Sequence, residues 1–164
     1  MIENPYTFLP QKSFTTTLTH YLMNERIPCF VVNHLAHVYF IAEIAKKTSF
    51  IIKKTQKNTP SLYLLSPQNA ISYMGVRWWL SFIHQTSPIL SQYVITDILD
   101  CYDHAGFAMA ALRAGQKYIL FDNTSAQFKN LQNRATSINV TIMDIKPNSF
   151  NLLDLNFKKN TLSK

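Results

Sequence analysis

Nine carboxylates, five histidines and two cysteines are the groups in this chain that could move protons, hold a metal or attack a bond. Five of the nine acids fall in one stretch, at Asp97, Asp100, Asp103, Asp122 and Asp144. Asp100 and Asp103 are separated only by Cys101 and Tyr102, and Asp122 follows the next apolar run, so three carboxylates could share one cation or do acid–base work. Asp103 also stands where a helix needs an N-cap, a duty worth about 1 kcal/mol without catalysis. His34 and His37, three apart on a helix, put two imidazoles on one side, but nothing at metal-binding spacing supplies a third zinc ligand. His104 near Cys101 permits an imidazole–thiolate pair, against the plainer reading of a small buried cysteine. Ser66 lacks the Gly-x-Ser-x-Gly surroundings of a strained nucleophile and reads as the turn before Pro67. With only Gly75, Gly106 and Gly115 available, no phosphate-cradling loop or dinucleotide fingerprint can be built, so no cofactor and no metal is expected.

These groups must be positioned by the elements around them. Short continuous apolar runs alternate with longer amphipathic stretches, the pattern of strands buried on both faces and joined by helices. The runs at 29–32, 50–52, 62–65, 94–99, 118–121 and 140–145 read as strands. Helices are expected from 34 to 47 with Asn33 as cap, from 70 to 86 with Pro88 as stop, from 103 to a terminating Gly115, and from 125 to 136, with a further one from 14 to 24. The predicted fold is α/β: a three-layer, doubly wound, open parallel sheet of about five or six strands. Ala111-Leu112-Arg113-Ala114-Gly115 before a strand also occurs in βα barrels, which leaves a half-barrel, or a barrel completed by dimerisation, open as the alternative. The expected organisation is an N-terminal extension over 1–27, one α/β domain over 28–147 and a closing segment with a basic tail over 148–164.

The chain has 164 residues, 47% hydrophobic and 15% charged, enough for one domain with a real core. Two distant cysteines and a start without a basic, apolar leader point to the cytoplasm. The apolar stretches are too interrupted to span a bilayer. A net charge of +7 favours an anionic partner only if it is gathered on one face. Lys46, Lys47, Lys53, Lys54 and Lys57 cluster, and Lys158, Lys159 and Lys164 mark the tail, but no basic stripe is interleaved with aromatics, so nucleic acid is disfavoured.

The order of elements, with Ala-Leu-Arg-Ala-Gly-Gln-Lys-Tyr-Ile-Leu at 111–120, resembles the receiver domain of bacterial response regulators over about 29–136. The resemblance implies a flavodoxin-like regulatory domain in signalling. It departs from the family at each chemical position: Asn33-His34 replace the acidic pair, Ser66 replaces the phosphoacceptor aspartate, and Phe121-Asp122 replace the lysine. A receiver-like domain without phosphorylation chemistry is what it implies. Leu65-Ser66-Pro67, Tyr73, Gly75, Trp78-Trp79 and Asp100-Cys101-Tyr102-Asp103 are also similar to a group of short uncharacterised alphaproteobacterial proteins.

Trp78 and Trp79 point about 100° apart on a helix, so one can enter the core while the other meets another surface. With Tyr73 and Phe82 they make a candidate patch for a protein partner or a second copy. The sequence therefore reads as a non-catalytic regulatory or protein-interaction module. The alternative is a small-molecule enzyme with a carboxylate site at the strand ends, built from Asp100, Asp103, Asp122, His34 and Ser66.

Overall fold

The structure, a computed structural model, describes residues 3–47 and 61–160. The chain runs β1 (Tyr6–Phe8), α1 (Lys12–Asn24), β2 (Cys29–Val31), α2 (Leu35–Lys47), β3 (Ser61–Leu65), α3 (Ile71–Met74), α4 (Val76–Thr86), β4 (Val94–Asp100), α5 (Ala105–Arg113), β5 (Tyr118–Leu120), α6 (Phe128–Thr136), β6 (Thr141–Met143), β7 (Phe150–Asn151) and β8 (Phe157–Lys159). β6-β5-β4-β3-β2-β7 form one sheet in which every pairing is parallel, and β1 pairs with β8 as a separate antiparallel ribbon. The α/β open parallel sheet expected from the apolar runs is what the chain forms. The run at 50–52 and Lys53, Lys54 and Lys57 lie outside the described residues.

The winding is one-sided, where double winding is the expectation. From β2 to β6 each strand is added on the same side of its predecessor, and right-handed crossovers that never reverse direction keep every helix on one face. Side-chain packing agrees. Phe30, Leu62, Leu64, Leu99 and Ile119 share one core with inward residues of α1, α2, α4, α5 and α6. The alternate residues Cys29, Val31, Leu65, Ile98 and Leu120 form a second cluster to which no helix contributes among the described residues. A doubly wound sheet, such as the 2-1-3-4-5 order of flavodoxin-like folds, needs a reversal with a helix behind it. Here the strand added on the other side of β2 is β7, reached through 144–149 without a helix. An open arc of a βα barrel is wound in this way.

Helix boundaries follow backbone chemistry. The stretch 70–86 is two helices rather than one, because Gly75 at φ 77° and ψ 154° closes α3 and opens α4. Gly115 at φ 93° ends the α5 segment, as its place in the sequence predicts. Outside 28–147, Leu18 and Leu22 of α1 join the main core and β7 joins the sheet, so both flanking segments contribute to the same fold.

Candidate functional site

The strand C-terminal ends are where loops and helix starts converge, and there the pieces fit around Asp100. Asp100 ends β4 and is 4% exposed. Ser66, just past β3, places its hydroxyl oxygen where the next ladder carbonyl would be and accepts the Asp100 N–H at 2.8 Å. Its own proton goes to the Pro67 carbonyl at 3.2 Å. Asp100 Oδ1 accepts the backbone N–H of Tyr102 at 2.9 Å and of Asn69 at 3.3 Å. Both donors sit in the left-handed region, Asn69 at φ 54° and Tyr102 at φ 48°. Burial pushes the Asp100 carboxyl up, opposed by those two N–H groups and by the Lys146 charge.

The other two acids do not join it. The Asp122 carboxylate turns back on its own loop and accepts the N–H and hydroxyl of Thr124, both at 2.8 Å, which holds it below its ordinary value. Asp103 is not the N-cap of α5: His104 holds that position without a side-chain cap bond, and Asp103 Oδ1 lies 3.5 Å from His104 Nδ1 at the surface. Among the described residues no three His, Cys, Asp or Glu side chains gather as metal ligands. The three carboxylates that the spacing allowed to share one cation are dispersed: Asp122 is held on its own loop by Thr124, and Asp103 lies at the surface beside His104.

His34 and His37 work on backbone. His34 Nδ1 accepts the Ala36 N–H at 3.0 Å and His37 Nδ1 accepts the Asn33 N–H at 3.3 Å, so imidazoles occupy the capping role expected of Asn33. Phe157 of β8 lies against both rings, with centroids 4.9 Å from His34 and 5.9 Å from His37, and Tyr6 of β1 meets His34 edge-on at 5.6 Å. Burial pulls His37 down to about 4, with the His34 charge adding to it. Cys101 and Cys29 are fully buried, and burial pushes both thiols up to about 12, away from thiolate chemistry.

The paired tryptophans part company. Trp79 is fully buried and donates its indole N–H to Asp97 Oδ2 at 3.1 Å, an oxygen that also accepts Gln116 Nε2 at 2.8 Å. Phe82 is 4% exposed and Tyr73 is 63% exposed. Trp78 is 41% exposed and stacks on Phe82 at 5.2 Å with 8° between the planes. It lines a groove of about 280 Å³ with Tyr6, Asn33, His34 and Gln85, none of them charged at neutral pH.

Sequence reasoning missed Asn69, the Asp97–Gln116 pair and the part played by Tyr6 and Phe157. An asparagine two residues after Ser66-Pro67 was the available signal for the first, since Asn tolerates positive φ. The others depend on contacts distant in sequence. Compared with protein-family models and with curated protein sequences, the chain matches none. Among the described residues no helix is long and apolar enough to cross a membrane.

Proposed function

We propose that this chain is a non-catalytic protein-interaction module, that its contact surface is the groove around Trp78, and that its partner is an acidic segment carrying an apolar anchor. The observation that carries this reading is the division of labour on α4. Trp79 is committed to the core through Asp97, while Trp78 stands in solvent against Phe82 with its stacked face held in place. A preorganised aromatic in an uncharged groove is the anchor type that dominates interface energetics. The sign of the partner follows from the rim. Arg77 is exposed beside Trp78, and the Lys159 charge reaches His34 in the groove and adds to the effect of burial in lowering its imidazole. These two cations at the groove, in a chain of net +7, favour an acidic partner over a second copy.

The test uses the one solvent-facing indole. An Asp/Glu-rich peptide with a single Leu is titrated against the protein while acrylamide quenching of tryptophan fluorescence is followed, beside the same peptide with that Leu changed to Ser. The reading expects protection by the Leu peptide, little by the Ser peptide, and none in Trp78→Ala. Equal protection by both peptides would reduce the groove to a charge effect and overturn the anchor. Sedimentation velocity over a concentration range covers the remaining partner class: self-association abolished by Trp78→Glu would put a second copy in place of the acidic partner.

A further inference from the structure

The ribbon β1–β8 is held to the rest of the fold by rings rather than by backbone. Its strands pair over three residues each, Tyr6 opposite Lys159, Thr7 opposite Lys158 and Phe8 opposite Phe157, and join no other strand. A two-stranded ribbon is marginal by itself and depends on what lies beneath it. Here Phe8 meets Phe40 at 5.1 Å, Tyr6 meets Tyr39 at 5.7 Å and His34 at 5.6 Å, and Phe157 lies on His34 and His37. Among the described residues no hydrogen bond or ion pair ties the ribbon to α2. The same ribbon supplies Tyr6 to the groove of about 280 Å³ that Trp78 lines.

Two imidazoles sit where the ribbon lands. Each uses Nδ1 as an acceptor, His34 for the Ala36 N–H and His37 for the Asn33 N–H, so both rings are neutral beneath Phe157. A proton on Nδ1 turns that acceptor into a donor and sets it against an N–H. The elements around the rings hold little to receive the new charge. β1 brings only the Tyr6 phenol, β8 brings Lys158 and Lys159, and α4 brings Arg77 and His84. α2 adds the Tyr39 phenol and two lysines, and its one acid, Glu43, is paired with Lys47. The charges that act on the rings are cationic, Lys159 on His34 and His34 on His37. Burial outweighs what the Phe157 ring face offers a cation and pulls both imidazoles down. We propose that β1–β8 is an acid-released strap: protonation of His34 and His37 expels it from α2 and so removes the Tyr6 wall of the Trp78 groove. This deepens the reading of that groove by naming its regulation, and it rests on that reading for its consequence only, because release of the strap is visible with no partner present.

The experiment is amide hydrogen exchange of the full chain, followed by two-dimensional NMR at pH 7.5 and pH 5 and corrected for intrinsic rates. The strap probes are the Leu9 N–H, bonded to the Asn156 carbonyl at 3.0 Å, and the Asn160 N–H, bonded to the Pro5 carbonyl at 2.8 Å. Cys101 and Phe121, whose N–H groups bond the Leu120 and Met143 carbonyls, report the sheet. Relative to the sheet amides, the strap amides should exchange at least about tenfold faster at pH 5 than at pH 7.5. The ceiling is about thirtyfold, set by His37 moving from about 4 to its ordinary 6.5 on release. Acrylamide should quench Trp78 more strongly over the same interval. The double variant His34→Asn, His37→Asn keeps an acceptor at each position and should hold both readouts constant, with circular dichroism as the fold control. If it fails to fold, Thr7→Cys with Lys158→Cys, opposite each other in the ribbon, is oxidised instead, and the locked strap should lose the pH response. Strap amides equally slow at both pH values, strap and sheet amides speeding up together, or a pH response that survives either variant would overturn the proposal. Release without a change at Trp78 would overturn the strap's role as a groove wall. Failure of the acidic peptide to bind strikes the partner reading and leaves every one of these readouts in place.

Discussion

Acid should loosen this protein through His37, and by a calculable amount. The ring is 2% exposed, its Nδ1 accepts the Asn33 N–H, and the described rings against it, Phe157 of the terminal ribbon and His34, carry no negative charge, while Lys159 acts on His34. The folded imidazole titrates near 4 against an ordinary 6.5. A lowered folded value means that the unfolded chain binds the proton first, so this contribution is complete above pH 6.5 and is lost as pH falls toward 4. At about 1.4 kcal/mol per unit, it amounts to about 2 kcal/mol lost by pH 5 and about 3 kcal/mol by pH 4. His37→Asn keeps an acceptor near the Nδ1 position and removes the titration, at a packing loss of about 1–3 kcal/mol at neutral pH. Urea unfolding followed by circular dichroism from pH 7.5 to 4 should give a parent whose stability falls more steeply than the variant's, by about one proton between pH 4.5 and 6. The difference between the two isolates His37 from His34, which has the same sign, and from Asp100, whose raised carboxyl has the opposite one. Parallel pH profiles would refute the reasoning.

Trp79→Phe should lose about 2 kcal/mol in denaturant unfolding, because Asp97 Oδ2 loses its indole donor and the core loses volume, whereas Trp78→Phe should stay within about 0.5 kcal/mol. Gly75→Ala should lose about 1–3 kcal/mol by the same assay; a Cβ there meets nothing within 4 Å, so the loss is backbone strain at φ 77° and not a clash. Ser66→Ala should lose about 1–3 kcal/mol, since the Asp100 N–H is left buried without its acceptor. Cys29 and Cys101 should ignore a thiol-specific disulfide reagent until denaturant is added, both being fully buried with thiols pushed up to about 12.

The parallel strands were legible because their residues are buried on both faces: Leu62, Leu64 and Leu65 share β3, and Cys29, Phe30 and Val31 make up β2. Periodicity carries that information locally. Winding does not lie in periodicity, since the side on which a strand is added depends on which edge its partner presents, and β7 is only two residues long. The split of 70–86 was written in Gly75 but overridden by the apolar pattern on both sides of it. At the site, Ser66 and Asp100 stood out as polar residues ending apolar runs, and they do meet. Asp122 stood out for the same reason and does not join them, because a carboxylate two residues from an N–H bonds locally before reaching across a loop, as it does with Thr124, and Asp103 stays at the surface beside His104.

An all-parallel sheet needs both faces covered, and among the described residues no helix packs on the second cluster of this one. Cys29, Val31, Leu65, Ile98 and Leu120 lie there at 8% exposure or less. β6 and β7 are the two edge strands of the sheet, so residues 144–149 run from one edge to the other, and on the way the Lys146 charge acts on Cys29 in β2 and on Asp100 in β4. This segment is anchored on arrival: the Tyr21 hydroxyl accepts the Cys29 N–H at 2.8 Å and lies 3.1 Å from the Asn148 carbonyl, and Asn148 Nδ2 donates to Glu25. An extended chain covers about 3.3 Å per residue and a helix only 1.5 Å, so six residues can travel toward the far edge only by staying extended. The N-terminal ends of β4 and β5 are bare, with Val94 51% and Tyr118 37% exposed, whereas the C-terminal end of β4 has the Lys146 charge acting on Asp100.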